Sequence, residues 1–171
     1  MLWALLPVLF LSLILGFTAI ESDMATIKPP AAPFPMNAAD AAAQEFMVYR
    51  NAVMNYAQQN QTTSGPVPLS SLTAYLPVAR VSALPTTAQA VITPGQGNSS
   101  YVCVWMPVPA GAIGQVIDQT NGDLTIGTVM SSGRWVQAAP GGSIQQIPCS
   151  LAGVTPPAPG YIMSVFGLGG S

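Results

Sequence analysis

Three rhythms of apolar residues follow one another along the chain. From Met1 to Ile20, "MLWALLPVLFLSLILGFTAI", apolar side chains run on without a single charge. About 20 helical residues rising ~1.5 Å each cover the ~30 Å hydrocarbon layer of a bilayer, so this run predicts a transmembrane anchor. Trp3 suits one membrane interface, and Pro7 is tolerable near the start of a membrane helix. Residues 21–36 break the rhythm. Their last part, "TIKPPAAPFPM" from Thr26 to Met36, carries four prolines and can be neither helix nor central strand. It reads as an extended, semi-rigid linker of ~3.1 Å per residue.

The second rhythm is helical. In "NAADAAAQEFMVYRNAVMNYAQQN", Asn37 or Asp40 can cap the start and acidic residues fall in the first turns, where they suit the helix dipole. Phe46, Tyr49, Val53 and Tyr56 recur at i, i+3, i+7 and i+10, which is one helix face, and predict a helix laid on a sheet. The third rhythm is that of strands. "LSSLTAYLP" is one short helical turn before Pro77, and "AVITP" and "SYVCVWMPV" follow as strands. In the latter, Tyr101, Cys103 and Trp105 alternate with Val102, Val104 and Met106. Both faces are therefore apolar, which predicts a central strand. Ile113, Val116, Ile117 and Thr120 return to helical spacing, and Asn121–Gly122 is a turn signal. "DLTIGTVM" and "RWVQAA" flank "SSG" as a β-hairpin. The tail, "TPPAPGYIMSVFGLGGS", adds an edge strand at most. The fold class that results is α+β: an anchor over 1–20, a proline-rich linker over 21–36, and a domain over 37–171 with one main helix packed on a small antiparallel sheet.

Charge narrows the function. Only four residues of 171 are basic and six are acidic, so there is no electrostatic footprint for nucleic acid and no polybasic patch for lipid headgroups. With no histidine, neither a Ser–His–Asp nor a Cys–His nucleophile can be assembled. No nucleotide-binding glycine loop occurs, and the two cysteines have no metal-ligand spacing. No catalytic residue, metal ligand or cofactor is expected. Cys103 and Cys149 are the only cysteines. In a domain outside the cytoplasm such a solitary pair predicts one disulfide. Lys28 casts a weak positive-inside vote for the opposite topology. The cysteine pair and the charge-poor surface outweigh it, and place residues 37–171 in the periplasm.

"GFTAIES", Gly16 to Ser22, looks like a prepilin cleavage box. A prepilin places its apolar helix after the box, whereas here the apolar run precedes it and would be discarded on cleavage. Two alternatives to an uncleaved anchor therefore stay open: a minor pilin-like fibre subunit, and a secreted binding module whose apolar start is a removed signal.

An apolar anchor, then "FMVYRNAVMNYAQQN", then "SGPVPLSSL", then a small β domain with "GDLTIGTVMSSGRWV" is a recognisable layout. Over about Met1 to Ile147 it resembles the PilM family of type IVb thin-pilus systems carried on conjugative plasmids, of the small membrane-anchored kind. The resemblance implies a single-pass inner-membrane component of the pilus assembly apparatus, with the basal body as one place for it. It implies other pilus assembly proteins as partners, besides the lipid bilayer around residues 1–20, and it leaves room for a homo-oligomer. It offers no catalytic residues to carry over.

Overall fold

The computed structural model describes residues 37–77, 84–97, 99–130 and 133–169. By its contacts the chain divides into Met1–Pro35 and Met36–Ser171. All described residues belong to the second unit, so the expected anchor and the whole of the linker lie outside the described residues. No helix among the described residues is long and apolar enough to cross a membrane.

Helix α1 spans Ala38–Gln59. Alanine-rich and free of Gly and Pro, it begins where the Asn37 side chain accepts a 2.8 Å hydrogen bond from the Asp40 amide, satisfying one of the four orphan N–H groups. It stops at Asn60, whose backbone and side-chain amides both donate to the Tyr56 carbonyl. Phe46, Tyr49 and Val53 are buried on the face laid against the sheet, and Ala43, Ala52 and Ala57 let the backbone approach closely. Burial also pushes the Tyr49 phenol well above its ordinary pKa, so this ring stays neutral. Tyr56 is half-buried and sits edge-to-face on Tyr75, with ring centroids 6.0 Å apart.

The strands are β1 (Gly65–Pro66), β2 (Gln89–Pro94), β3 (Ser100–Met106), β4 (Ile126–Val129), β5 (Arg134–Gln137), β6 (Ile144–Gln146) and β7 (Ile162–Leu168). A short 3-10 turn occupies Leu69–Leu72, and a second helix, α2, occupies Ala112–Thr120. All strands join one antiparallel sheet in the order β1-β2-β3-β7-β4-β5-β6. The helical spacing from Ile113 to Thr120 forms α2, which packs beside α1 as a second helix, and the sheet has seven strands. One expectation is corrected. The tail is not an edge strand: β7 is threaded into the middle, pairing along its full length with β3 and also with β4. The physical reason is that both of its faces are apolar. Ile162 and Phe166 point to the helices, while Met163 and Val165 point to the other side, and such a strand has no solvent face to offer.

The core is accordingly double. Phe46, Tyr49, Val53, Leu72, Val104 and Ile162 fill the layer between helices and sheet. On the opposite face Trp105, Trp135, Met163 and Cys103 pack beneath an irregular strap that contains Cys149, Ile147 and Leu151. The strap hydrogen-bonds to β2, through Ser150 N–H to Thr93 Oγ1 and Thr155 N–H to Gln89 Oε1. It is also covalently held: Cys103 and Cys149 form a disulfide with a Cα–Cα distance of 6.2 Å across a sequence separation of 46. A loop of that length corresponds to about 4 kcal/mol in the chain-entropy model.

Two stability outcomes follow. Phe46→Ala empties a site with no solvent exposure and should lower unfolding free energy in urea by about 3–5 kcal/mol; a fully stable variant would show that this face is not core. Alkylation of denatured, unreduced protein should label neither cysteine, and labelling of both would remove the strap's covalent bond.

Candidate interaction surface

The helix layer does not cover the whole sheet. α1 contacts β3 and β7, and α2 contacts β4. The last two strands, β5 and β6, continue past this cover. What marks the boundary is a buried cation. Arg50 lies on the packing face of α1 and is buried to 9% exposure. Its Nε donates to Ser164 Oγ of β7 at 2.8 Å. Its Nη2 donates to Asp123 Oδ2 at 2.8 Å and to Thr125 Oγ1 at 2.9 Å, and its guanidinium lies 5.8 Å from the Phe166 ring centroid. A guanidinium withdrawn from water in this way requires both a carboxylate and neutral acceptors.

The carboxylate is delivered by the end of α2. Thr120 Oγ1 donates back to the Val116 carbonyl, and Asn121 takes a left-handed conformation, φ 53°, followed by Gly122 at φ 80°. That double left-handed stop turns the chain sharply and sends Asp123 toward Arg50. The Asp123 Oδ1 atom then accepts from the Thr125 amide. Helix α1, the α2–β4 connection and β7 are thus tied at one point.

Beyond this tie, on the strap side of the sheet, lies an open groove of about 400 Å³. Tyr101, Leu124, Trp135, Gln137, Gln145 and Val165 are among its lining residues, and no lining residue is charged. Tyr101 is 42% exposed and Leu124 55%. The Trp135 ring lies over Gly127 of β4, where any Cβ would collide with the indole and with the Val136 backbone. Gln137 is fixed in place: its amide donates to the Leu124 carbonyl, and its oxygen accepts from the Ser143 amide and hydroxyl. The Trp135 Nε1–H is the one buried side-chain donor without a partner among the described residues. The exposed Tyr101 ring and the neutral amides and hydroxyls suit recognition of an uncharged polypeptide surface. They supply neither a nucleophile with a base nor a metal-ligand set, and among the described residues no three His, Cys, Asp or Glu side chains lie close enough to hold a metal.

The residues singled out from sequence lie elsewhere. Phe46, Tyr49 and Val53 are core, Tyr56 flanks the 3-10 turn, and Cys103 with Cys149 secures the strap. The Arg50 cluster, the Trp135 groove and β6 were not anticipated. A signal for Arg50 was present: it follows Phe46 by four residues and precedes Val53 by three, so it falls inside the apolar stripe, where a cation needs a buried partner.

Arg50→Ala strands Asp123 and should cost about 3–5 kcal/mol in chemical denaturation. Arg50→Lys should restore only part of this, because an ammonium cannot reproduce the planar fork that reaches Ser164, Asp123 and Thr125 together. Equal stability of the Lys variant and the parent would show that charge alone suffices.

The PilM family model matches residues 10–156 of this chain. Among solved structures the chain is similar to a crystal structure of a protein described as PilM from Escherichia coli B7A. The two share 16% identity with a TM-score of 0.48, over 81% of this chain and 100% of that one. No curated protein matches the chain.

Proposed function

The chain belongs to the PilM family of pilus-biogenesis-related proteins, and on that premise we propose that it is a non-enzymatic, inner-membrane assembly component of a type IVb pilus machine. The observation that carries the reading is the family match, which spans most of the chain, from residue 10 to residue 156. The location rests on two further features. The uncharged apolar run over 1–20 has the length of a single membrane crossing. The Cys103–Cys149 disulfide suits an oxidising compartment, and therefore the periplasmic side for residues 37–171. The protein's partners are other pilus assembly proteins. Contact with them uses neutral surface such as the Tyr101–Trp135 groove, so it responds weakly to salt.

An anchor followed by a proline break suits a stationary part of a membrane complex, because a fibre subunit must leave the bilayer. Deletion of the gene should therefore abolish pili. The protein should remain with membranes after a carbonate wash and be absent from sheared, purified fibres. Stoichiometric presence along the fibres would replace this reading with the pilin one. Normal pili in the deletion strain would remove both and leave a secreted binding module.

A further inference from the structure

The two edges of the sheet are treated differently. At one edge, β1 is two residues long and includes Pro66, which has no N–H to offer; short strands and proline are among the devices that keep edges from pairing. At the other edge β6 is also short, three residues, but carries no proline. Its residues Ile144, Gln145 and Gln146 are all exposed, and no residue from Trp135 to Ser171 is charged. A neutral, proline-free, exposed edge is one that natural proteins ordinarily guard or use.

The register shows which groups are on offer. The Gln137 amide donates to the Ser143 carbonyl and the Ile147 amide donates to the Gly133 carbonyl, while Trp135 is opposite Gln145. Residues 143, 145 and 147 therefore direct their backbone groups at β5. By the alternation of an antiparallel ladder, Ile144 and Gln146 direct theirs outward. These two positions are symmetric about Gln145. On the helix side of the sheet, Ile144 is 51% exposed beside half-buried Val136, in the part of the sheet that neither helix covers.

We propose that β6 pairs antiparallel with β6 of a second copy of this chain, about a two-fold axis through Gln145. In that register Ile144 faces the second copy's Gln146 and Gln146 faces the second copy's Ile144. Both are hydrogen-bonded pairs, so every outward N–H and C=O of the two strands finds a partner. Gln145 faces its own counterpart, amide to amide, and on the helix side each row runs from Val136 and Ile144 of one copy to Gln146 and Arg134 of the other. The contact is isologous and closes on itself, as two-fold interfaces do. A second copy fits this edge because its outward backbone groups are self-complementary and β6 itself carries no charge, the nearest being Arg134 one strand in, opposite Gln146. Three residues a side bury far less than the ~1,200 Å² of a stable interface, so the pairing depends on the copies being held at high local concentration.

The test places a cysteine on the axis. Facing residues in a non-hydrogen-bonded antiparallel pair lie about 4.5 Å apart at Cα, within disulfide range. In the full chain expressed in membranes, Gln145→Cys should form a covalent dimer on mild oxidation. It should do so roughly tenfold faster than Ser143→Cys, which faces residue 147 of the second copy rather than itself. Adding Gln146→Pro removes an outward N–H that is not directed at β5, and should abolish the cross-link while the melting temperature is retained. Ile144→Lys gives an independent break, should the proline variant fail to fold. Cross-linking at equal rates from 143 and 145, or undiminished by both breaks, would reflect random collision and overturn the proposal. So would cross-linking of Gln145→Cys to a different protein, or no cross-link at all.

Discussion

The domain turns on the placement of β7. The strand contributed last by the chain fills the centre of the sheet, and without it β1-β2-β3 and β4-β5-β6 would be two separate three-stranded pieces. Each piece would have an open edge where β7 now sits. Everything else is arranged around this seam. α1 lies over it, Arg50 hydrogen-bonds into it at Ser164, and on the far side Met163 joins the cluster of Trp105 and Trp135. The ladder with β3 runs from Ser100–Leu168 to Met106–Ile162. A pairing that long, buried on both faces, commits the intervening residues to loop out and return.

Polarity within this architecture is sparing and local. The Arg50–Asp123 salt bridge joins elements far apart in sequence, α1 and the α2–β4 connection. Such a pair contributes little net stability over a well-packed apolar alternative, but it penalises every arrangement that leaves the guanidinium unpaired. Its value is in registering α1 on the sheet. The groove alongside has no charged lining residue and β6 carries none, so the charge at the β5–β6 end of the domain is the exposed Arg134 of β5.

Much of this was legible in the sequence where burial is one-sided or complete. The stripe from Phe46 to Val53 marked α1, the doubly apolar run around Cys103 marked a central strand, and helical spacing after Pro109 marked α2. β7 carries the same doubly apolar sign as β3, yet its Gly and Pro neighbours suggested a frayed edge; those residues instead serve the turns that bring it back. β6 was not readable at all. Ile144–Gln146 has no buried face, so no apolar alternation records it, and its extended form comes from pairing with β5. The Arg50 cluster was hidden for a different reason: its partners Asp123, Thr125 and Ser164 lie 73, 75 and 114 residues away, and no local pattern encodes such a meeting.

The disulfide has a mechanical meaning. Because Cys103 and Cys149 are bonded across 46 residues, α2, β4, β5 and β6 lie inside a covalent loop, while α1 and β7 lie outside it. A pull applied along the backbone through the two ends of the domain cannot draw that loop out. At ~3.3–3.6 Å per residue, about 150–165 Å of chain is exempt from extension. Under tension the helix and the central strand can peel away, but the half of the domain that carries the neutral groove and the free edge stays on a short tether.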